Sequence, residues 1–165
     1  MWSGRSLRAN LDMTLFTTAY IVPEAHAANL VPADGWQTAD ALHDALASFA
    51  LEPGCTSPGT VVTVMMEFLS EYGIEMPSDD GHISAERFGP LAGIVCICGG
   101  EETSPFLRQL DRMMLMESQL GGYYEDFTGA TWPEAGKEML KVFNFIRDGL
   151  VKQQKSGGIY ILCVR

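Results

Sequence analysis

Two short segments rich in β-branched and aromatic residues stand near the two ends of this chain, and they constrain its fold more than any other feature. Residues 13–23, MTLFTTAYIVP, alternate loosely in polarity and stop at Pro23, which reads as a strand. Residues 159–164, IYILCV, follow Gly157-Gly158 and read the same way. Between them the apolar residues recur mainly at helical spacing. The two segments are therefore expected to pair or to lie near each other in one sheet, with helices supplied by the chain between.

Four helices are legible in that interval. Residues 38–50 place Ala39, Leu42, Leu46 and Phe49 on one side with Thr38 as N-cap, while Asp40, His43 and Asp44 occupy the opposite, solvent face. Residues 60–72 carry an apolar stripe of Val61, Val64, Met65, Phe68, Leu69 and Tyr72, with Glu67 and Glu71 outside it and Gly73 placed to end the helix. Residues 105–120 open at Ser104-Pro105, close at Gly121-Gly122 and bury Phe106, Leu107, Leu110, Met113, Met114 and Leu115. Residues 132–151 begin with Thr131 and Glu134 at capping-box spacing and bury Ala135, Met139, Phe143, Ile146 and Leu150. The run 91–98, LAGIVCIC, is apolar throughout, so periodicity leaves a buried strand and a buried helix both open, its β-branched residues favouring the strand. The expected fold class is α+β, a small sheet including the N- and C-terminal strands covered by about four helices. Residues 1–12 read as a disordered extension, with Met13 an alternative start, and residues 13–165 as a single globular domain.

Charge divides the chain unevenly. The 21 Asp and Glu against 11 Lys and Arg give a net charge of −10, which disfavours nucleic acid and anionic membrane surfaces as partners. Residues 13–104 hold 13 acids and a single base, Arg87, a balance of −12, whereas residues 105–165 hold seven acids and eight bases. No apolar run approaches the roughly 18 to 20 residues of a membrane-spanning helix. Four cysteines are too few for a disulfide scaffold, and Cys96, Cys98 and Cys163 lie in apolar runs as buried thiols do, so a cytoplasmic setting is expected. The alternative is export: Arg5 and Arg8, an apolar stretch over 13–22 and Ala25-His26-Ala27 have the order of a cleaved signal, although Asp12, Thr14, Thr17 and Thr18 make that stretch too polar.

Few residues carry chemistry by their spacing. Cys55, in PGCTSP just before a helix, sits where a helix N-terminus would favour a thiolate, and its candidate bases are His26, His43 and His82. His82 follows by only 27 residues, and the surrounding acids oppose thiolate formation. Asp40, His43 and Asp44 share a helix face but supply too few convergent ligands for a metal site. In residues 76–88, Asp80, Gly81, Ile83 and Phe88 stand as in the second half of a calcium loop and its exiting helix, so this segment locally resembles an EF-hand. Met76 at the first ligand position and Arg87 at the last remove its two strongest carboxylates, so no calcium site is expected. No nucleotide-binding, Ser-hydrolase or zinc-protease motif occurs, and nothing calls for a cofactor. Met65-Met66 and the cluster Met113, Met114, Met116 read first as adaptable core and secondly as a binding surface. Tyr123 and Tyr124, among Glu125, Asp126 and Phe127 and flanked by Gly122 and Gly129, have the composition of an interface anchor on a loop.

The leading expectation is a small acidic interaction module, such as an inhibitor or immunity protein that neutralises a basic partner of the nuclease-toxin kind. Its contact residues would be Glu67, Glu71, Glu75, Asp79, Asp80, Glu101, Glu102, Tyr123 and Tyr124. From a different class comes a thiol-dependent hydrolase or transferase with Cys55 as nucleophile and His82 as base. A regulatory subunit whose acidity has no specific role is the third reading.

Overall fold

The two strand-like end segments are immediate sheet neighbours. The computed structural model describes residues 16–30, 34–51, 55–79, 83–84, 88 and 93–164. Strands β1 (Phe16–Val22), β2 (Cys55–Pro58), β3 (Ile94–Cys98) and β4 (Ile159–Val164) form one sheet in the order β2-β1-β4-β3, every pair antiparallel. β1 and β4 pair from Thr17 opposite Val164 to Val22 opposite Ile159. The apolar run at 94–98 is thus a strand, joined to β4 with a register shift between Ile94 and Cys96, the mark of a bulge.

β4 is buried on both faces. Ile159, Ile161 and Cys163 face one core, with Tyr20 and Val22 of β1 and Leu42 and Leu46 of α1 (Ala39–Phe49). Tyr160 and Leu162 face the other, with helices α2 (Gly59–Glu71), α3 (Thr103–Asp111), α4 (Glu117–Thr128) and α5 (Ala135–Ser156). The alternation of the pleat assigns successive residues to opposite layers, and a strand covered on both sides reads as continuous hydrophobicity. The fold is α+β, a four-stranded antiparallel sheet between two helical layers. Among the described residues no helix is long and apolar enough to cross a membrane.

Several helix ends follow local chemistry. Thr38 caps α1 by accepting from the Ala41 N–H at 3.1 Å. At the end of α2, Gly73 takes φ +74° while its N–H donates to Ser70 O and that of Ile74 to Leu69 O. These two bonds make a Schellman motif, in which a left-handed glycine frees the chain to reverse and tuck Ile74 under the helix. Pro58 ends β2 and directly precedes α2, so residues 55–58 of the segment expected to be a turn belong to the sheet, with Cys55 opposite Ala19, while residues 53 and 54 lie outside the described residues.

The helix expected over 105–120 is two helices. α3 stops at Asp111, residues 112–116 cross the surface, and α4 starts at Glu117. Gly121 and Gly122, expected to end a helix, lie inside α4. Packing overrides their breaker character, because a Cβ on Gly136 of α5 would meet Glu117 O at 1.9 Å and Gly121 N at 3.1 Å. The α4 and α5 backbones approach where α5 has no side chain, Gly136 lying against the backbone of Glu117 and Gly121. Thr131 and Glu134 do not form the expected capping box: Thr131 Oγ1 donates to Glu125 Oε1 at 2.7 Å, and Glu134 is itself the uncapped N-cap. α5 settles on the sheet through Gly149, whose missing Cβ would lie 2.5 Å from the Tyr160 ring.

Gly136 of α5 and Gly122 of α4 should respond oppositely to alanine. Gly136→Ala overpacks backbone against backbone and should cost about 3 kcal/mol of unfolding free energy in urea titrations. Gly122→Ala meets nothing within 4 Å and should stabilise by about 0.5–1 kcal/mol through helix propensity.

Candidate functional site

Where α2 lies against α4, an acidic helix face meets an aromatic one. On α2, Glu67 and Glu71 are one helical turn apart, flanked by Phe68 and Tyr72, and on α4 Gln119, Tyr123 and Phe127 repeat every fourth residue. Tyr123 Oη donates to Glu71 Oε1 at 3.0 Å, and Gln119 Nε2 donates to Tyr72 Oη at 2.8 Å. The buried Phe68 ring stands edge-on to Tyr123 at 5.1 Å and tilted to Tyr72 at 4.8 Å, and Tyr123 stacks with Phe127 at 6.1 Å. These ring contacts hold the hydroxyl that orients the Glu71 carboxylate. At the end of α2, Ser70 Oγ donates to Glu75 Oε1 at 2.7 Å.

The electrostatics of this face are one-sided. Burial, the hydrogen bond to Glu71 and the charges of Glu71 and then Glu67 push the Tyr123 phenol well above its ordinary range. Among the described residues, the ion pairs gather on α5: Lys137 with Glu134, Lys141 with Glu138, and Arg147 with Asp111 and Asp148. Exposed pairs of this kind add little stability, but they place cations beside the acids of the C-terminal half. Glu67, Glu71 and Glu75 have no such pair among the described residues.

A groove opens beside this face. It has a volume of about 410 Å³ and is walled by Tyr72, Met113, Met114, Leu115 and Gln119 over the buried Ile74. Met114 is 92% exposed, Met116 63% and Tyr72 56%. The sequence expectation of core positions for Met114 and for Tyr72 is thereby corrected: residues 112–116 are not helical, so helical spacing does not turn Met114 inward, and Tyr72 is the last residue of its stripe, beyond the packed part of α2. Phe106, Leu107 and Leu110 are buried as expected.

The predicted contact residues are only partly brought together. Glu67, Glu71 and Tyr123 converge, although Tyr123 is 52 residues from Glu71. Tyr123 and Tyr124 are not on a loop but in α4, so they point about 100° apart. Tyr124 is buried edge-on to Trp132 at 5.5 Å, its phenol raised by burial, which removes it from the face. Glu101 and Glu102 are exposed in the 3₁₀ turn Gly100–Glu102 after β3, and no hydrogen bond or ion pair among the described residues ties them to α2. Asp79 is exposed in a bridge to Ser84 next to β3, and Asp80 lies outside the described residues. Tyr72 and Gln119 were not singled out as contacts, because their partnership depends on how α2 meets α4.

The expected catalytic arrangements fare differently. His82 and the turn at Asp80-Gly81 lie outside the described residues, as does Arg87 of the calcium-loop-like segment; Ile83 and Phe88 of that segment are buried in the α1-side core. His26, in the 3₁₀ segment Glu24–Leu30 that contains Ala25-His26-Ala27, stacks on Phe49 at 4.7 Å. His43 is not on the solvent face: it is 2% exposed, with Nδ1 3.4 Å from Tyr20 Oη. Residue 43 falls on the boundary of the α1 stripe, one position from Leu42, and burial separates it from the exposed Asp40 and Asp44. Cys96, Cys98 and Cys163 are buried and form no disulfide, and burial pushes the Cys96 thiol far up, away from reactivity. Among the described residues no three His, Cys, Asp or Glu side chains converge as metal ligands. Comparison with protein-family models, curated proteins and solved structures finds no match to this chain.

The phenol of Tyr123 offers a direct probe of this face. Its folded-state pKa is raised, so its contribution to stability is complete below the ordinary tyrosine value of about 10 and is lost as pH rises above it. In spectrophotometric titration, the Tyr123→Phe difference curve should report a phenol that ionises above the ordinary tyrosine value, and Glu71→Gln should move it back toward the ordinary range.

Proposed function

We propose that the protein is a small acidic interaction module, an inhibitor or immunity-type protein that occupies and neutralises a basic protein partner such as a nuclease toxin. The observation that supports this reading best is the convergence of Glu67, Glu71 and Tyr123 on one face from two helices, with no ion pair to a cation of the described residues. An enzyme that handles polyanions carries a cationic cleft, and carboxylates fixed at a solvent-facing position complement it. The aromatic rings beside the acids offer apolar area at low entropic cost, the composition found at interface centres. The burial of Cys96, Cys98 and Cys163 outside any disulfide supports a cytoplasmic setting.

Charge-steered recognition has a kinetic signature. Against the partner isolated by affinity capture, the association rate should fall about tenfold between roughly 50 and 300 mM salt. Glu67→Gln with Glu71→Gln should lower that rate about three- to tenfold at low salt and barely change it at high salt. A rate indifferent to salt and to both substitutions rejects the proposal.

A further inference from the structure

We infer that the groove beside Tyr72 seats one apolar side chain of a basic protein partner, and that Lys or Arg residues next to this anchor lie along Glu71 and Glu67. The inference rests on the interaction reading above and adds to it an anchor, a direction and a place. Two of the five large hydrophobic residues exposed among the described residues, Tyr72 and Met114, line this groove, and a third, Met116, follows Met114 by two residues. Such clustering, in contrast to single scattered residues, marks an interaction site. The volume of about 410 Å³ lies within the range of about 300–1,000 Å³ typical of ligand sites. Unbranched methionine walls adapt to an anchor of variable shape.

Charge selects the occupant and its orientation. Tyr72 lines the groove and is the next residue after Glu71, and Gln119, which bonds Tyr72, sits one helical turn before Tyr123, which bonds Glu71. The groove therefore runs directly into the acidic face. Arg112 also lines it, so a cation of the partner is repelled by Arg112 and drawn to Glu71. A bound segment would carry its apolar anchor in the groove and its basic residues on the Glu71 side only. A second copy of this chain, packed symmetrically on the same patch, would bring Glu67, Glu71 and Glu75 of two molecules together and is disfavoured. A polyanion is repelled by the same carboxylates.

Methyl spectra of the full chain labelled at methionine and tyrosine test this with three short synthetic peptides: one with a single Leu followed by a Lys pair, one with Ser replacing the Leu, and one with Ser replacing the Lys pair. The Leu-Lys peptide should shift Met113 and Met114 methyls and the Tyr123 ring together, and bind about tenfold more tightly than the Ser-for-Leu peptide. Met114→Ser, at a site exposed enough to leave folding intact, should remove most of that difference. If both Lys peptides shift Tyr123 equally and leave the methyls unmoved, the groove inference falls while the acidic-face reading stands. If the Ser-for-Lys peptide binds the groove as well as the Leu-Lys peptide, the apolar site stands and its assignment to a basic partner falls. Absence of any shift overturns the inference, as do methyl shifts that depend on protein concentration without peptide, which would make a second copy the occupant.

Discussion

β4 has no solvent face, and the rest of the architecture answers that constraint. A central strand whose every residue is apolar must be covered on both sides, and its pleat sends Ile159, Ile161 and Cys163 one way and Tyr160 and Leu162 the other. α1 and the 3₁₀ segment after β1 cover the first set, and α2, α3, α4 and α5 cover the second. β1 satisfies one backbone edge of β4 and β3 the other. Burying each such side chain is worth about 1.5–3 kcal/mol, so displacing β4 would uncover both cores at once.

The acidic face is a consequence of the thicker layer. α5 lies on Tyr160 through Gly149, and α4 lies on α5 through the close approach at Gly136. That second contact brings the α4 backbone nearer than any side chain would permit, and it delivers Tyr123 and Gln119 to the edge of α2. The Tyr123–Glu71 and Gln119–Tyr72 hydrogen bonds close the seam. Glycines that would weaken an isolated helix are used here as contact surface, which reverses what propensity alone implies.

Charge separation follows the same division of the chain. Lys137, Lys141 and Arg147 sit on α5 beside acids of their own turn or of α3, as with Arg147 between Asp111 and Asp148. Glu71 at the end of α2 and Glu75 just beyond it have hydroxyl donors, Tyr123 and Ser70, in place of cations. A hydroxyl orients a carboxylate without neutralising it, and the negative field remains available to an external cation.

Much of the scaffold is legible in the sequence because it is written in local patterns. The β-branched ends, the stripe on α2, the Gly73 stop and the thiols of β3 and β4 all report burial or backbone conformation within a few residues. The break between α3 and α4 is not legible: Met113, Met114 and Leu115 continue the apolar run without a helix breaker, and the chain leaves the helix because α4 must turn to meet α5. His43 departs from its expected solvent face for a related reason, since one position on a helix boundary goes to core or solvent according to the strand beneath it. By itself, the sequence determined an acidic α+β chain whose terminal strands share a sheet and whose cysteines on β3 and β4 are core. Only the tertiary structure decided which acids share a face, that Tyr123 joins them while Tyr124 turns inward, and that Met114 and Tyr72 open a groove beside them. Periodicity records which side of an element is buried, whereas a surface shared by two helices depends on the angle and depth at which their backbones meet.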